Sequence, residues 1–356
     1  MFCKVALDAP KLATHQFESL HRLARLKLNT KSQQQLEPQV IRSIMPFTKI
    51  VVAGSTGSLA DHALRALLDS TQPKFDVTVL TRKGSDKASS LPGVKLVPVD
   101  YEDHQALVKA VSGHDAIVSL VGGMACNPVD SALLEAAQAS GVRRIFTSEY
   151  TVDILHPAMV SLYSDKGWPE HWDTHLKKAR RFAALPDAGG STSYTTLMCS
   201  AFMDNWVAGV YGTFDPKGRK VTLIDGGDLS FTGCSLPFLA ACIVAALQMP
   251  EDETKNKRIP VSEVRTTMKE IVRAYEKVTG HSFTVDNITS KSLLDARVGS
   301  FEKGEFPMAA MYTHVAGAFN GQGAGDLEEG LKFDGDGFLT MKRKTIEELV
   351  GEAVGK

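Results

Sequence analysis

The amino-acid sequence predicts an α/β protein with a Rossmann-type, doubly wound parallel sheet and a smaller α+β part toward the C-terminus. Three observations predict it. Residues 49–68 have the pattern of a strand, a glycine turn and a helix; strands then alternate with helices as far as Tyr150; and the alternation fades beyond that point. Such alternation is typical of a parallel sheet, in which ligands bind beyond the carboxyl ends of the strands.

The first unit contains the strongest motif of the chain. Ile50 to Ala53 are apolar and favour a strand, and the helix that follows has apolar residues at helical spacing. Between them, Gly54, Gly57 and Ala60 are spaced G-x-x-G-x-x-A. Glycine lets a phosphate approach the backbone, and the amides at a helix N-terminus favour an anion. An ordinary glycine turn is the alternative. The predicted cofactor-binding residues of this turn are Gly54, Ser55, Thr56, Gly57, Ser58 and Leu59.

The second predicted strand, Asp76 to Arg82, ends where such folds distinguish one nicotinamide cofactor from another. A carboxylate here is typical of NAD sites, because it accepts hydrogen bonds from the ribose hydroxyls. This chain has Arg82 and Lys83 instead. A guanidinium binds a 2′-phosphate through two hydrogen bonds, so the pair predicts NADP(H) in preference to NAD(H). Two solvated loop cations would have the same pattern.

Three further strands complete the predicted sheet. They are Val94 to Asp100, Asp115 to Gly123 and Val142 to Tyr150, with a helix from Asp130 to Ser140 before the last of them. The carboxyl ends of parallel strands meet at one edge, so the ends of these strands are expected in the same crevice as the glycine turn. The candidate cofactor residues there are Val121, Gly122, Thr147 and Ser148.

Composition limits the possible partners and compartments. The net charge of −1 gives no basic surface for nucleic acid, and no apolar run is long enough to span a bilayer. A small-molecule partner and a soluble, cytoplasmic protein are expected. The five cysteines, at positions 3, 126, 199, 234 and 242, have no C-x-x-C pairing, which argues against both a disulfide framework and a zinc site.

The chain is expected to divide into three parts: an N-terminal extension over residues 1–44, an NAD(P)-binding domain over 45–200, and a cap over 201–356 that is interleaved with the sheet. The extension is more basic than the rest. Its composition allows a mitochondrial-type targeting peptide, but its acidic residues favour a disordered or loosely docked segment.

Five strings of the sequence, taken in order, resemble the NmrA-like and isoflavone reductase-like family, whose members are atypical short-chain dehydrogenase/reductase relatives. The strings are VVAGSTGSL, VDYEDHQALVKAVSGHDAIVSLVG, AAQASGVRRIFTSEY, SYTTLMCSAFMDNW and KEIVRAYEKVTGHSFTV. The resemblance runs from Lys49 to the C-terminal end and is weakest between Tyr312 and Gly337. It implies a reductase that uses a nicotinamide cofactor.

The catalytic group is harder to place. Short-chain dehydrogenases generally use Tyr-x-x-x-Lys, and no tyrosine of this chain is followed by lysine at the fourth position. The resembling reductases use a lysine in a pattern close to K-x-x-V-R-R, and LKKARRF (Leu176 to Phe182) is the matching segment. The paired arginines put Leu176 in the lysine position, and a shift of one residue selects Lys177. The resemblance therefore assigns the acid/base role to Lys177, with Lys178 as the alternative.

The second half is predicted to form a cap beside the nucleotide-binding part. Residues 192–206 have the pattern of a sixth strand running into a loop, and Phe214 to Asp228 that of a hairpin excursion turning at 225–228. The resemblance implies that this loop lines a substrate pocket. Asp334 and Asp336 begin like a calcium loop, but the later ligand positions lack carboxylates, so no metal site is expected. The predicted substrate-binding residues are Tyr150, Phe202, Met203 and Trp206.

Two functions are consistent with these patterns. The first is an NADPH-dependent reductase of a small aromatic or secondary-metabolite substrate, with the hydride chemistry supplied by the cofactor. The second is a non-catalytic NAD(P)-binding redox sensor that acts through a protein partner. The missing Tyr-x-x-x-Lys and the ambiguous register of the lysine favour the sensor, which is also the function that the NmrA part of the resemblance implies.

Overall fold

A computed structural model describes residues 46–84, 92–164, 168–169, 174–330 and 342–355. The predicted N-terminal extension and the rejected calcium loop at Asp334 to Phe338 lie outside these residues.

The centre of the molecule is a seven-stranded parallel sheet in the order β11-β6-β5-β4-β1-β2-β3. The strand order runs in opposite directions on the two sides of the boundary between β1 and β4. This boundary is where a doubly wound sheet opens its ligand crevice. This confirms the predicted fold class. The strands are β1 (Lys49–Ala53), β2 (Asp76–Arg82), β3 (Lys95–Val99), β4 (Ala116–Ser119), β5 (Arg144–Phe146), β6 (Ser193–Met198) and β11 (Lys257–Pro260).

Helices cover both faces of the sheet, because alternate residues of β1 enter two different apolar clusters. Ile50 and Val52 pack on the side of α1 (Ser58–Asp69) and α7 (Leu236–Gln248). Val51 and Ala53 pack on the side of α2 (His104–Val111) and α3 (Cys126–Ser140). A strand buried on both faces needs a continuous apolar run, which is the pattern of β1. The helices of this part are α1 (Ser58–Asp69), α2 (His104–Val111), α3 (Cys126–Ser140), α4 (Pro157–Ser164), α5 (His175–Ala183), α6 (Met203–Val207), α7 (Leu236–Gln248) and α8 (Glu251–Thr254).

The second half adds two small sheets and a further set of helices. One sheet has the order β12-β10-β7 and the other β13-β9-β8. Trp206, Phe231 and Tyr275 are buried in the apolar cluster between them. The elements are β7 (Ala201–Phe202), β8 (Phe214–Asp215), β9 (Lys220–Ile224), β10 (Ser230–Cys234), β12 (Val264–Thr267), β13 (Thr284–Ile288), α9 (Met268–Thr279), α10 (Ser290–Glu302), α11 (Phe306–Phe319), α12 (Leu327–Gly330) and α13 (Ile346–Ala353).

Several predicted boundaries differ from the structure. Helix α3 begins at Cys126, four residues before the predicted start, and β5 ends at Phe146. The strand ends early because the Ser148 amide donates to the carboxylate of Asp130 rather than to a neighbouring strand. The predicted loop after β6 forms the short strand β7 and helix α6.

The hairpin prediction placed the turn in the wrong segment. Strands β8 and β9 pair antiparallel, and their turn lies between Asp215 and Lys220. The Asp215 carboxylate closes it by accepting a hydrogen bond from the Gly218 amide, at 2.8 Å. The glycine pair at 225–228 instead carries the chain from β9 to β10.

None of the helices in the described part of the chain is long and apolar enough to cross a membrane.

Candidate cofactor and substrate site

The glycine turn is held where β1 passes next to the end of β4. Gly54 has φ +87°, and a Cβ at this position would lie 2.8 Å from the backbone of Leu120. Glycine is required there for both reasons, since the conformation is left-handed and the space is filled by backbone. Gly57 then occupies the N-cap of α1, and no side chain caps that helix. The first amides of α1 are therefore available to an anion.

A cavity of about 400 Å³ runs from this turn to the aromatic residues of the second half. One end of it includes Gly57, Ser58 and Gly122, and the other end includes Trp206 and Phe231. The cavity is also lined by Leu59, Val121, Met124, Cys126, Ser148, Glu149, Tyr150, His175, Phe202, Tyr211, Pro307, Ala310, Met311, His314, Val315, Ala318 and Phe319.

A buried ion pair lies beneath the cavity. Lys178 is fully buried, and its ammonium donates to the Ser148 carbonyl at 2.7 Å, to the Cys126 thiol sulfur at 3.1 Å and to the Asp130 carboxylate at 3.2 Å. The same Asp130 oxygen accepts from the Ser148 amide at 2.9 Å. An ammonium has three N–H groups, so all of them are used. Lys178 and Asp130 thus fix the loop after β5 from below.

The charges of this cluster are coupled. Burial opposes the charged form of Lys178, but Asp130 and the other neighbouring groups together outweigh burial and raise the lysine pKa. Burial also raises the pKa of the Cys126 thiol to about 11, although the Lys178 charge works in the other direction. These shifts keep Lys178 charged and the Cys126 thiol neutral at neutral pH.

The neighbouring Lys177 has a different environment. Thr174 caps α5 by accepting a hydrogen bond from the Lys177 amide, and this cap starts the helix with Lys177 turned outward and Lys178 turned inward. The Lys177 side chain is exposed and is not among the residues that line the cavity. Consecutive helix positions are 100° apart, so the side chains of Lys177 and Lys178 point in different directions.

A second ion pair holds the loop that follows Ser148. Arg258, on β11, contacts the carboxylates of Glu149 and of Asp153, the latter at 2.9 Å. Tyr150 stands between these two residues in the sequence, and its hydroxyl donates to the Ser119 carbonyl at 3.2 Å. Burial raises the Tyr150 pKa well above its ordinary value, so its hydroxyl stays neutral. Glu149 and Tyr150 both line the cavity and are both anchored by the protein.

The far wall of the cavity is aromatic. The Trp206 ring lies 5.3 Å from Phe319, 5.4 Å from Tyr211 and 5.5 Å from Phe231, measured between centroids. Helix α11 supplies a stripe at positions 307, 310, 311, 314, 315, 318 and 319, which is the spacing of one helix face. The Trp206 indole N–H is buried and has no hydrogen-bond partner among the described residues.

Half of the predicted site residues meet in this cavity. Gly57, Ser58, Leu59, Val121, Gly122, Ser148, Tyr150, Phe202 and Trp206 all line it. Gly54, Ser55 and Thr56 form the adjoining turn, and Arg82 and Lys83 are exposed at the end of β2.

Two further predicted residues are placed elsewhere. Thr147 is buried, and its hydroxyl is 2.8 Å from that of Thr196 on β6, so it connects the segment after β5 to β6 and does not line the cavity. Met203 is fully buried against Gly233 of β10, where a Cβ would lie 2.4 Å from its sulfur. It belongs to the core of the second half.

The sequence patterns missed several residues that line the cavity or lie directly beneath it. Asp130 lies on a helix whose sequence has no motif of a binding site. His314 lies in the segment with the weakest resemblance to the family. Phe231, Met311 and Phe319 come from elements distant in sequence. The periodic stripe of α11 was the only available signal, and it is obscured because that helix is apolar on most of its surface.

This geometry fits a dinucleotide. Three features define a dinucleotide-binding α/β protein. They are a left-handed glycine at which an added Cβ would collide with backbone, a helix N-terminus without a side-chain cap, and a cavity beside them at the switch point of a parallel sheet. A family model described as NAD(P)H-binding matches residues 54–250, and the chain belongs to that family.

Individual relatives agree with this assignment. The chain is 26% identical over 289 residues to oxidoreductase poxI of Penicillium oxalicum, covering 77% of this chain and 86% of the relative. It is 26% identical over 265 residues to the isoflavone reductase homolog IRL of Zea mays, covering 69% and 79%. The structure described as AtPrR2 with NADP+ and (+)pinoresinol has a TM-score of 0.69 and 23% identity, covering 87% of this chain and 99% of that one. The predicted isoflavone reductase-like resemblance is confirmed.

Proposed function

We propose that this protein is a cytoplasmic, NADPH-dependent reductase of a small aromatic or secondary-metabolite substrate. One observation carries the proposal: the anion-binding glycine turn and the aromatic wall line the same cavity, so a bound dinucleotide and an apolar ring would meet there. The relatives named oxidoreductase and isoflavone reductase support it. The described cysteines, 126, 199, 234 and 242, are free thiols, which supports a reducing compartment.

The cofactor would supply the hydride, and this chain would hold it. The amides of Ser58 and Leu59 at the start of α1 would receive the pyrophosphate. Arg82 and Lys83, exposed at the end of β2, would contact the 2′-phosphate and give NADPH its preference over NADH. The predicted contacts of Ser55, Thr56, Val121 and Gly122 remain part of this proposal.

Of the two candidate lysines, we assign the functional role to Lys178. Its buried ammonium puts a positive charge under the cavity and fixes the Ser148 loop, whereas Lys177 points outward. Because all three of its N–H groups are used, Lys178 acts as a positioning residue.

The experiment is NADPH oxidation followed at 340 nm with aromatic ketones, enones and benzylic ethers. We expect turnover with at least one class, a preference for NADPH over NADH, and a Lys177→Met variant equal to the unaltered protein. Lys178→Met should lose turnover, and Lys178→Arg, which keeps the charge, should recover part of it with a changed KM for the substrate. Equal turnover in Lys177→Met and Lys178→Met would contradict the assignment.

A non-catalytic redox sensor is the second candidate. The complete burial of Lys178 favours the sensor, since no lysine ammonium reaches the cavity from the described part of the chain. A sensor would bind NADPH but turn over none of the compounds, and it would act through a protein partner. Failure to bind either dinucleotide would contradict both candidates.

A further inference from the structure

Two imidazoles meet on the cavity wall. His175 is the first residue of α5 and His314 lies in α11, and their rings are 4.9 Å apart between centroids with an interplanar angle of 85°. Both line the cavity, and both are only partly buried. A neutral imidazole has one donor and one acceptor nitrogen, so the position of its proton decides which ligand group each nitrogen binds.

The backbone of α11 fixes the proton of His314 on Nδ1. This nitrogen is 3.0 Å from the Ala310 carbonyl oxygen, four residues earlier in the same helix, and a carbonyl oxygen can only accept. The Tyr163 hydroxyl oxygen lies 2.8 Å from the same nitrogen and is a second acceptor for its proton. Tyr163 is itself stacked on Trp168, at 5.3 Å between centroids. The His314 ring is thus held through its Nδ1 edge.

The opposite edge of the His314 ring carries the unprotonated nitrogen. Nε2 has no hydrogen-bond partner among the described residues, and it is not one of the enclosed polar atoms that lack a partner. Because the Nδ1 edge is covered by Tyr163 and Ala310, the Nε2 edge is the one left to the cavity. A nitrogen with a free lone pair accepts a hydrogen bond from an O–H group and offers nothing to a carbonyl or ether oxygen.

The charged groups near this part of the wall are already engaged. Glu149 is paired with Arg258, and Lys178 lies beneath the cavity with every N–H used. The Nδ1 of His175 lies 3.9 Å from the Cys126 sulfur. Among the described side chains of the wall, His314 combines a proton position fixed by backbone with a ring nitrogen that no protein group uses.

The charge state agrees with a neutral ring. Burial lowers the pKa of His314, and the positive charge of Lys178 acts in the same direction; together they outweigh the hydrogen bond to Ala310, which raises it. The titratable groups around the ring are Tyr163 on α4 together with His175 and Lys178 on α5. Burial also lowers the pKa of His175 and raises that of Tyr163 well above its ordinary value. Tyr163 is therefore neutral beside the ring.

We infer that His314 is a specificity-determining residue whose Nε2 accepts a hydrogen bond from a free hydroxyl group on the substrate. The ligand class is then an aromatic compound with an unmethylated hydroxyl next to α11. Its methyl ether, which keeps the oxygen but has lost the donor, is discriminated against. This inference rests on the proposed function, because it assumes that the substrate occupies this cavity.

The test is binding of three matched ligands to the full chain in saturating NADP+, which has no hydride to transfer. 4-Phenylphenol has a hydroxyl donor, 4-methoxybiphenyl has an acceptor oxygen only, and biphenyl has neither. For each ligand, the dissociation constant of His314→Phe is divided by that of the unaltered protein, which cancels differences in ligand size. We expect a ratio of about 2 to 12 for 4-phenylphenol, the value of one neutral hydrogen bond, and unchanged binding of the other two.

Two control variants and one competitor make the result specific. His314→Gln, which supplies an amide oxygen as acceptor, should keep most of the affinity for 4-phenylphenol. His281→Gln, on an exposed histidine outside the cavity, should behave as the unaltered protein. If His175→Gln weakens 4-phenylphenol alone and His314→Phe does not, the inference is overturned. It is also overturned if His314→Phe weakens 4-methoxybiphenyl as much as 4-phenylphenol, because Nε2 would then be a donor.

A second readout does not depend on affinity. The ring ¹⁵N signals of His314 should show the Nδ1-protonated tautomer at pH 7, and the Nε2 signal should shift with 4-phenylphenol but not with biphenyl. The tautomer should persist in Tyr163→Phe, since the Ala310 carbonyl is still present. An Nε2-protonated ring in either protein would overturn the inference.

The outcomes separate this inference from the proposed function. If NADP+ binds and none of the three aromatic ligands does, the proposed substrate class fails and this inference fails with it. If the ligands bind and the preference for the hydroxyl is independent of His314, only this inference fails.

Discussion

The two sides of the cavity are built on different principles. On the proposed cofactor side, Gly54 and the start of α1 offer a fixed backbone conformation and free backbone amides. On the proposed substrate side, His314, Trp206 and Phe231 offer side chains brought together from distant segments. A backbone site leaves a compact glycine pattern in the sequence, whereas a side-chain site leaves separate residues with no common pattern. The cofactor side is therefore predictable from sequence and the substrate side is largely not.

The largest expected effect concerns the lysines between these two sides. Lys178→Met leaves the Asp130 carboxylate buried without its counter-ion, and removing one partner of a buried pair costs about 3–5 kcal/mol of unfolding free energy. Lys177→Met, one position away on the exposed face, should cost less than about 0.5 kcal/mol. Urea denaturation measures both. Similar costs for the two variants would mean that the inward lysine has been misassigned.

The next effect tests the backbone side of the comparison. Gly54→Ala forces a Cβ against the Leu120 backbone and a left-handed φ on alanine, which together cost about 2–4 kcal/mol. Gly190→Ala is the control, because its Cβ would have ordinary contact and its φ is not left-handed. Thermal unfolding and NADPH titration should both report the loss in Gly54→Ala. A stable variant with unaltered NADPH affinity would remove the argument for this glycine.

A third prediction concerns cofactor choice. Arg82→Ala should weaken NADPH binding about 10- to 100-fold, because a charge-assisted hydrogen bond to the 2′-phosphate is lost. NADH lacks that phosphate, so its affinity should not change. Arg273→Ala, an exposed arginine on α9, is the matched control. Equal losses for the two dinucleotides would indicate that Arg82 does not read the 2′-phosphate.

The smallest effect is a pH dependence on the side-chain side. Burial lowers the pKa of His175 and of His314 below the ordinary value of 6.5, so the unfolded chain binds more protons than the folded chain just below that pH. Stability is then complete above about pH 6.5 and falls as the pH decreases. The double variant His175→Gln/His314→Gln should flatten this decline in urea denaturation between pH 5 and 7. An unchanged slope would show that other groups dominate it.

These expectations also show how far the sequence goes. The order of strands, the glycine turn and the cations after β2 follow from local patterns, because each depends on neighbouring residues. The choice between Lys177 and Lys178 depends on the angle at which Thr174 starts α5, and no spacing rule fixes that angle. The positions of Asp130 and His314 at the cavity depend on how α3 and α11 pack in the folded protein, and no local pattern in the sequence shows this packing. The fold alone does not determine which loop and cap residues face a site, so these residues have no local signature in the sequence.

The central claim is that the amides at the start of α1 bind a dinucleotide whose nicotinamide enters the aromatic cavity. The most direct measurement is a crystal structure of the full chain grown with NADP+. The account predicts the pyrophosphate on the amides of residues 57–59, the 2′-phosphate beside Arg82 and the nicotinamide ring next to Val121 and Ser148. A structure grown in saturating NADP+ in which the cofactor is absent, or lies away from the glycine turn, would contradict it.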